Sequence, residues 1–195
     1  YSWQNLKNYR HGYWRYYDRN NVEHIRKHTR EEQIGIFTQH MTDYADPKKS
    51  RYINFVYNEN YKQYLEQYKK ENHRSRIVVF LTPAALPVLE MIVVYGLLDD
   101  YLRWISDAVD VFGEVYLFMY PNRINNDYLV NYFDPSHANP QIGDMIVDAI
   151  YNRPITGDSD FGMLITASNF RQKRPVLEQL MKNAHDPRFQ YLMKK

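Results

Sequence analysis

The feature that most constrains this chain is an apolar run, Ile77–Leu98, which reads IVVFLTPAALPVLEMIVVYGLL. Glu90 is the one acidic or basic residue among its 22 positions. A helix rises about 1.5 Å per residue, so this run would extend about 33 Å, close to the bilayer hydrocarbon thickness of about 30 Å. The run therefore predicts a single membrane-spanning helix that anchors an otherwise polar protein.

Three residues inside the run predict contacts with other protein groups. Pro83 and Pro87 are tolerated in a membrane helix where neighbouring groups satisfy the backbone carbonyls that they free. The carboxylate of Glu90 would have to face protein or water, or be protonated. We interpret it as paired with a neighbouring subunit or with the backbone freed at Pro87. A role in an ion or proton path is the alternative.

The residues at both ends of the run are those found at membrane interfaces. Arg74 and Arg76 adjoin its beginning, and Tyr95, Tyr101 and Trp104 lie at its end, where an aromatic belt would sit. We therefore predict that these five residues lie at the two surfaces of the membrane.

Charge divides the chain into a basic and an acidic half. Residues 1–76 hold 15 Lys and Arg against 9 Asp and Glu, whereas residues 99–195 hold 10 against 13. We predict three regions, listed in chain order: a basic, aromatic-rich helical region at 1–75, a transmembrane helix at 76–98, and an acidic, helical and partly irregular region at 99–195. The positive-inside rule places the basic half on the cytoplasmic or matrix side.

The run has a second interpretation, as the buried core of a soluble protein. A core helix or two buried strands would have the same apolar composition. Pro83 and Pro87 favour this alternative, because they could divide the run into two short pieces.

Hydrophobic spacing predicts a mostly α-helical fold around the run. Asp46–Ser50 is predicted as a turn, and Glu114–Tyr120 as a short strand or an extension of the preceding helix. The segment 121–143 is predicted to be irregular. The predicted helices are Asn21 to about Met41, Tyr52–Glu71, Asp99–Phe112 capped by Asp99, Asp144–Tyr151, and Pro175–Ala184 with Pro175 in its first turn.

The segment RIVVFLTPAALPVLE contains four residues in a recognisable spacing: Arg76, Phe80, Pro87 and Glu90. In this spacing it resembles the membrane helix of the mitochondrial LETM family, inner-membrane proteins named for a leucine zipper and EF-hands. The resemblance implies a mitochondrial inner-membrane location. It also implies that the roles proposed for that family, cation/proton exchange, organelle volume control and ribosome tethering, would involve Glu90. The chain has no EF-hand loop and no long heptad run.

No motif of a catalytic or metal site stands out. The chain has no cysteine, which excludes thiolate chemistry. His24 and His28 lie four apart, a metal-ligand spacing, but without the glutamate of a zinc protease or a third ligand, so we interpret them as surface residues. We interpret a row of four aspartates as a solvated helix face or as a face that meets a basic partner: Asp99, Asp100, Asp107 and Asp110.

We therefore predict a non-catalytic accessory subunit of a mitochondrial inner-membrane complex, a respiratory-chain complex or ATP synthase. Its partners would be other subunits and lipid, and we expect no cofactor, metal, nucleic acid or small-molecule substrate. The 19 tyrosines are typical of an AT-rich genome, that of a protist, a phage or an AT-rich bacterium, and the predicted mitochondrial complex would be that of a protist. One alternative is LETM-like exchange or ribosome tethering through Glu90. A second is a soluble structural or nucleic-acid-binding protein.

Overall fold

A computed structural model describes residues 15–17, 23–25, 28–152 and 161–193 of the chain. The fold is mostly helical, as predicted. The helices of the described ranges are α1 Arg30–Ala45, α2 Tyr61–Glu71, α3 Leu86–Val94, α4 Leu98–Phe112, α5 Arg123–Asn126, α6 Tyr128–Asn131, α7 Pro140–Val147, which continues as a π-helix at Asp148–Asn152, α8 Phe170–Lys182, and a 3₁₀ turn at Gln190–Leu192. The strands are β1 Arg15–Tyr17, β2 Glu23–Ile25, β3 Phe80–Leu81, β4 Glu114–Leu117, β5 Tyr132–Asp134, β6 His137–Ala138 and β7 Met163–Thr166.

A three-stranded mixed sheet lies at the centre, in the order β3, β4, β7. β3 pairs in parallel with β4, and β7 pairs antiparallel with β4 on its other side. Along β4 the side chains alternate, so Val115 and Leu117 are fully buried whereas Tyr116 is partly exposed on the opposite face. Helices α4 and α8 contact this sheet, and α2 packs on the outer side of α4.

The apolar run Ile77–Leu98 does not form one helix. It contains β3, an extended segment at 82–85, helix α3, and a turn at which Gly96 has a φ of 75°. Pro83 lies in the extended segment, and Pro87 lies in the first turn of α3, where its missing N–H leaves no hydrogen bond unmade. The two prolines thus divide the run, as in the alternative interpretation.

Much of the run belongs to the hydrophobic core. The fully or almost fully buried side chains that it contributes include those of Ala85, Val88, Leu89 and Met91. None of the helices in the described ranges is both long enough and apolar enough to cross a bilayer. The single transmembrane helix predicted at 76–98 is therefore not supported. This segment is divided into β3 and α3, and hydropathy alone does not distinguish a membrane segment from a strand and a helix buried in a core.

The predicted helix from Asn21 to Met41 was wrong at its beginning. Residues Glu23–Ile25 are strand β2, and α1 begins at Arg30. Thr29 and Glu32 form a capping box there, in which each side chain accepts a hydrogen bond from the other residue's backbone N–H. This motif in the sequence marks the true first turn. The Asp46–Ser50 turn is present as predicted.

Of the four remaining predicted helices, one matches its predicted range and three begin at a different residue. Tyr52–Glu71 is helical from Tyr61 onwards, and the residues before it form a loop. α4 matches its predicted range, but Leu97 and not Asp99 is its N-cap residue. α8 begins at Phe170, so Pro175 lies inside the helix and not in its first turn. α7 also begins before the predicted Asp144.

We predict that Val88→Ala lowers the free energy of unfolding by about 2 kcal/mol, because it removes two methyl groups from a fully packed site and leaves a cavity. Val88 is 1% exposed. The matched control is Val176→Ala in α8, where valine is 56% exposed and the change should stay within about 0.5 kcal/mol. Urea unfolding followed by circular dichroism measures both, and equal effects would contradict a buried α3.

Candidate functional site

A cavity of about 370 Å³ lies between the loop 51–60 and the beginning of α4. Its lining is almost entirely apolar and largely aromatic, which is typical of ligand-binding pockets. We call it the aromatic pocket. The aromatic residues that line it are Tyr52, Phe55, Tyr57, Tyr61, Tyr101 and Trp104.

Helix α4 supplies one wall of the aromatic pocket. Its apolar residues recur at helical spacing, so that one face is buried while Leu97, Tyr101 and Trp104 reach the pocket from its first two turns. The Tyr101 hydroxyl donates to the carbonyl of Met119 in the loop after β4. The Trp104 Nε1–H donates to the Tyr61 hydroxyl at 2.7 Å. Both polar ends are therefore satisfied, and the rings are free to provide apolar surface.

The opposite wall is the loop 51–60, which polar contacts hold against α4. The Tyr57 hydroxyl donates to Asp107 at 2.8 Å. Arg103 pairs with Glu59 through two hydrogen bonds of 2.9 and 2.6 Å, and its guanidinium lies 4.3 Å from the centre of the Tyr57 ring. A two-bond arginine pair with a stacked ring fixes both orientation and distance. These contacts connect the second half of the loop to α4.

Burial of the phenol rings changes their acid–base behaviour. Burial raises the pKa of Tyr57, and its hydrogen bond to the Asp107 carboxylate raises this pKa further. Burial also raises the pKa of Tyr61, although the hydrogen bond from Trp104 works in the opposite direction. Burial raises the pKa of Tyr52 to about 12. These phenols are therefore neutral donors or acceptors at neutral pH.

The outer rim of the aromatic pocket carries apolar side chains in contact with solvent. Val56 is 85% exposed, Phe55 is 45% exposed and Ile53 is 36% exposed. Phe55 and Val56 line the pocket and give it an apolar edge, and Ile53 belongs to the same loop. A contiguous apolar patch of this kind marks an interaction surface more often than isolated exposed residues do.

Two of the five residues predicted to lie at the membrane surfaces line this pocket, and the other three lie elsewhere. Tyr101 and Trp104 line it together. Tyr95 caps the end of α3, and Arg74 and Arg76 are exposed in the connection from α2 to β3. The loop residues opposite α4 were assigned to a helix and thus missed. Their density of tyrosine and phenylalanine was the available signal.

Glu90 lies at a polar site that is separate from the aromatic pocket, inside the core of the protein. Its side chain is 7% exposed, and it accepts the backbone N–H of Asp186 at 2.7 Å and a hydrogen bond from His185 at 3.1 Å. The sequence interpretation paired this carboxylate with a neighbouring subunit or with the backbone freed at Pro87, whereas its partners here belong to the C-terminal part of the same chain. Its hydrogen bonds join α3 to the segment that follows α8.

Asp186 continues this polar cluster on the other side. It is 2% exposed, and one of its oxygens accepts the backbone N–H of Arg188 at 2.9 Å. The Arg188 guanidinium donates to the Tyr128 hydroxyl at 2.9 Å and lies over the Tyr128 ring. Burial raises the pKa of Tyr128, and the nearby Asp186 carboxylate adds to this effect. The cluster fastens the C-terminal segment to the core.

A further carboxylate–histidine pair lies in the β5–β6 hairpin. Both oxygens of Asp134 lie within 2.9 Å of His137 Nδ1, and one of them also accepts the backbone N–H groups of Ser136 and His137. These are the bonds of a tight turn closed by an aspartate. The pair therefore has a structural explanation in the hairpin itself.

The two histidines of the predicted metal spacing are not on one helix. His24 lies in strand β2, and His28 lies before the beginning of α1. Within the described residues, no three His, Asp or Glu side chains are grouped as metal ligands.

The four aspartates of α4 have different surroundings. Two of them lie near basic residues, which was one of the two interpretations of this row. Lys62 pairs with Asp110 at 2.7 Å, and Tyr57 binds Asp107. Arg174 lies 3.8 Å from Asp99. Asp100 lines the aromatic pocket.

Comparison with known proteins found no match to a family model, to a curated protein or to a solved structure.

We predict that Tyr52→Phe reduces the loss of stability at alkaline pH. Because the folded pKa of Tyr52 is about 12 against an ordinary value of 10.0, its contribution is complete below pH 10 and is lost as pH rises towards 12. Urea unfolding at pH 8 and pH 11 should therefore show a smaller decline for Tyr52→Phe than for the wild type, by about 1 kcal/mol. Tyr191→Phe, at a tyrosine that is 60% exposed, is the matched control and should decline as the wild type does.

We predict that Glu90→Gln lowers the free energy of unfolding by about 1–2 kcal/mol, because a charged acceptor of the Asp186 N–H becomes a neutral one. Glu114→Gln, at an exposed glutamate, should change it by less than about 0.5 kcal/mol. Thermal and urea unfolding measure both variants. Equal stability of Glu90→Gln and the wild type would contradict a structural role for this carboxylate.

Proposed function

We propose that the chain is a non-catalytic binding protein that receives a side chain of a protein partner in the aromatic pocket. The observation that carries this proposal is the combination of an apolar pocket of about 370 Å³ with the exposed rim of Phe55 and Val56. Partner residues that bury deeply in such pockets supply most of the affinity of a protein interface. The apolar rim around the pocket would exclude water from that contact.

The polar contacts behind the pocket support a preformed binding surface. The Tyr57 hydroxyl is hydrogen-bonded to Asp107, and the indole of Trp104 is hydrogen-bonded to Tyr61. The ion pair of Arg103 with Glu59 connects the loop to α4. A surface that is already in its bound shape loses less conformational entropy on association. The pocket is therefore suited to recognise one side chain with a defined geometry.

This role retains the accessory-subunit function that we infer from the sequence. The setting in a mitochondrial respiratory-chain or ATP synthase assembly of a protist remains a proposal that rests on composition and on the short LETM-like spacing. In that setting, partner subunits would hold the chain at the membrane, because Ile77–Leu98 is divided into β3 and α3.

Cation/proton exchange through Glu90 receives less support. The Asp186 N–H and the His185 ring engage its two carboxylate oxygens. Arg76 and Phe80, which share the LETM-like spacing, lie before and within β3, and both are exposed. The surroundings of Glu90 are those of a structural carboxylate, so we do not propose exchange as the function.

We predict that Val56→Glu abolishes association with a partner while the protein stays folded, since the residue is 85% exposed and its replacement places a charge at the apolar rim. Tagged wild type and variant are expressed in the source organism, and the subunits that copurify in stoichiometric amounts are quantified by mass spectrometry. We expect at least a tenfold loss of the partner.

The matched control for this experiment is Val176→Glu, at a valine of α8 that is 56% exposed. The same chemical change, made outside the aromatic pocket, should leave the partner bound. Equal recovery of every copurifying subunit with Val56→Glu, Val176→Glu and the wild type would overturn the proposal. An equal loss with both variants would also overturn it.

A further inference from the structure

The aromatic pocket contains one carboxylate, that of Asp100, which makes no hydrogen bond and no ion pair with any residue in the described ranges. Asp100 is partly buried and lies one helical turn before Trp104, so that the two side chains share a face of α4. A carboxylate beside aromatic rings, with no partner of its own, is an incomplete arrangement. It raises the question of what pairs with this charge.

Neighbouring carboxylates on α4 show that pairing is the rule on this helix. Asp107 accepts from Tyr57, Asp110 pairs with Lys62, and Asp99 lies near Arg174. Asp100 is also not used to cap the helix, because no side chain accepts a capping hydrogen bond at the N-terminus of α4. Its place in the first turn of α4 is favourable for a negative charge, because the N-terminus of a helix is the positive end of its dipole.

We propose that the side chain that enters the aromatic pocket is an arginine of the protein partner, with its guanidinium against Asp100. This inference rests on the proposed function. Arginine is the side chain that combines planar stacking on aromatic rings with a two-bond pair to a carboxylate, and its guanidinium is more weakly hydrated than the ammonium of lysine. An apolar pocket that desolvates its occupant therefore favours arginine over lysine.

The chain already contains this recognition chemistry on the outer side of the pocket wall. Arg103 stacks on Tyr57 at 4.3 Å while Glu59 binds both of its terminal nitrogens. That pair neutralises the charge of Arg103, so it does not oppose a second guanidinium. Among the described residues that line the pocket, Asp100 is the charged one, and Asp107 binds the lining residue Tyr57. The field in the pocket is complementary to a cation.

The size of the pocket fits one extended side chain. A volume of about 370 Å³ lies at the lower end of the range of about 300–1,000 Å³ that is typical of small-molecule sites. The methylene groups of an arginine would contact Ile92, Leu97 and Met119, which supply the aliphatic part of the lining. The pocket therefore offers an apolar contact for the stem and a charged contact for the head.

The test uses three probes that differ in the end of one side chain: Nα-acetyl-arginine methylamide, the citrulline analogue, which has the same shape without the charge, and the norleucine analogue, which is apolar. Binding to the full chain is followed by NMR through the indole N–H signal of Trp104, which is identified by its loss in Trp104→Phe. We expect millimolar binding of the arginine probe, about tenfold tighter than that of the citrulline probe.

The decisive variants are Asp100→Asn and its neighbour Asp99→Asn. Both remove one carboxylate from the same helical turn, but the Asp99 side chain is 95% exposed and does not line the pocket. We expect Asp100→Asn to lose the tenfold preference for arginine over citrulline and Asp99→Asn to keep it. The preference of the wild type should also decrease as the salt concentration rises.

The outcomes separate this inference from the proposed function. Equal binding of the three probes, unchanged in Asp100→Asn, would overturn the arginine inference and leave the pocket as a binding site for an apolar side chain. A Trp104 signal that does not respond to any probe would also overturn the inference, whereas the copurification experiment with Val56→Glu judges the proposed function independently. An equal loss of preference in both variants would show a general effect of charge and would overturn the role of Asp100.

Discussion

The parallel pairing of β3 with β4 is the constraint on which the rest of this structure depends. Parallel neighbours cannot be joined by a hairpin, so the chain between them has to cross one face of the sheet. Helices α3 and α4 make this crossing, and α4 returns the chain to β4 immediately after Phe112. This path brings the first turns of α4 beside the loop 51–60 and the loop after β4, where the aromatic pocket lies.

The loops that border the pocket are held by hydrogen bonds of buried polar side chains. Asn122 and Asn125 both donate to the carbonyls of Phe118 and Tyr120, and the Tyr132 hydroxyl donates to Asn125. These bonds satisfy backbone groups that lie beyond the end of β4 and have no strand partner. The loop that carries Met119 to the pocket therefore has a fixed shape. A binding site built on such loops is preorganised before its partner arrives.

The sequence predicts the elements whose signal is local and fails where contacts distant in the chain decide the structure. α4 was predicted almost to the residue because its apolar positions recur at helical spacing over four turns. Ile77–Leu98 carries no such periodicity, and its division depends on β4, a strand more than thirty positions after β3. Tyr101 and Trp104 were predicted as interfacial aromatics, but their hydrogen bonds to Met119 and to Tyr61 are tertiary contacts. Glu90 was predicted to pair with a neighbouring subunit or with the backbone freed at Pro87, because hydropathy could not locate its partner 96 positions further along the chain.

The aromatic pocket is also where the molecule departs from what stability alone favours. Every other carboxylate of α4 meets a partner or a basic residue, whereas Asp100 has none among the described residues. An apolar side chain in place of Asp100 would remove the unpaired charge from the pocket, and a shorter loop would remove the exposed Val56. Sequences that retain such local conflicts usually do so at functional sites. The unpaired carboxylate and the exposed rim are two such conflicts at one place, and a partner that buried both would resolve them together.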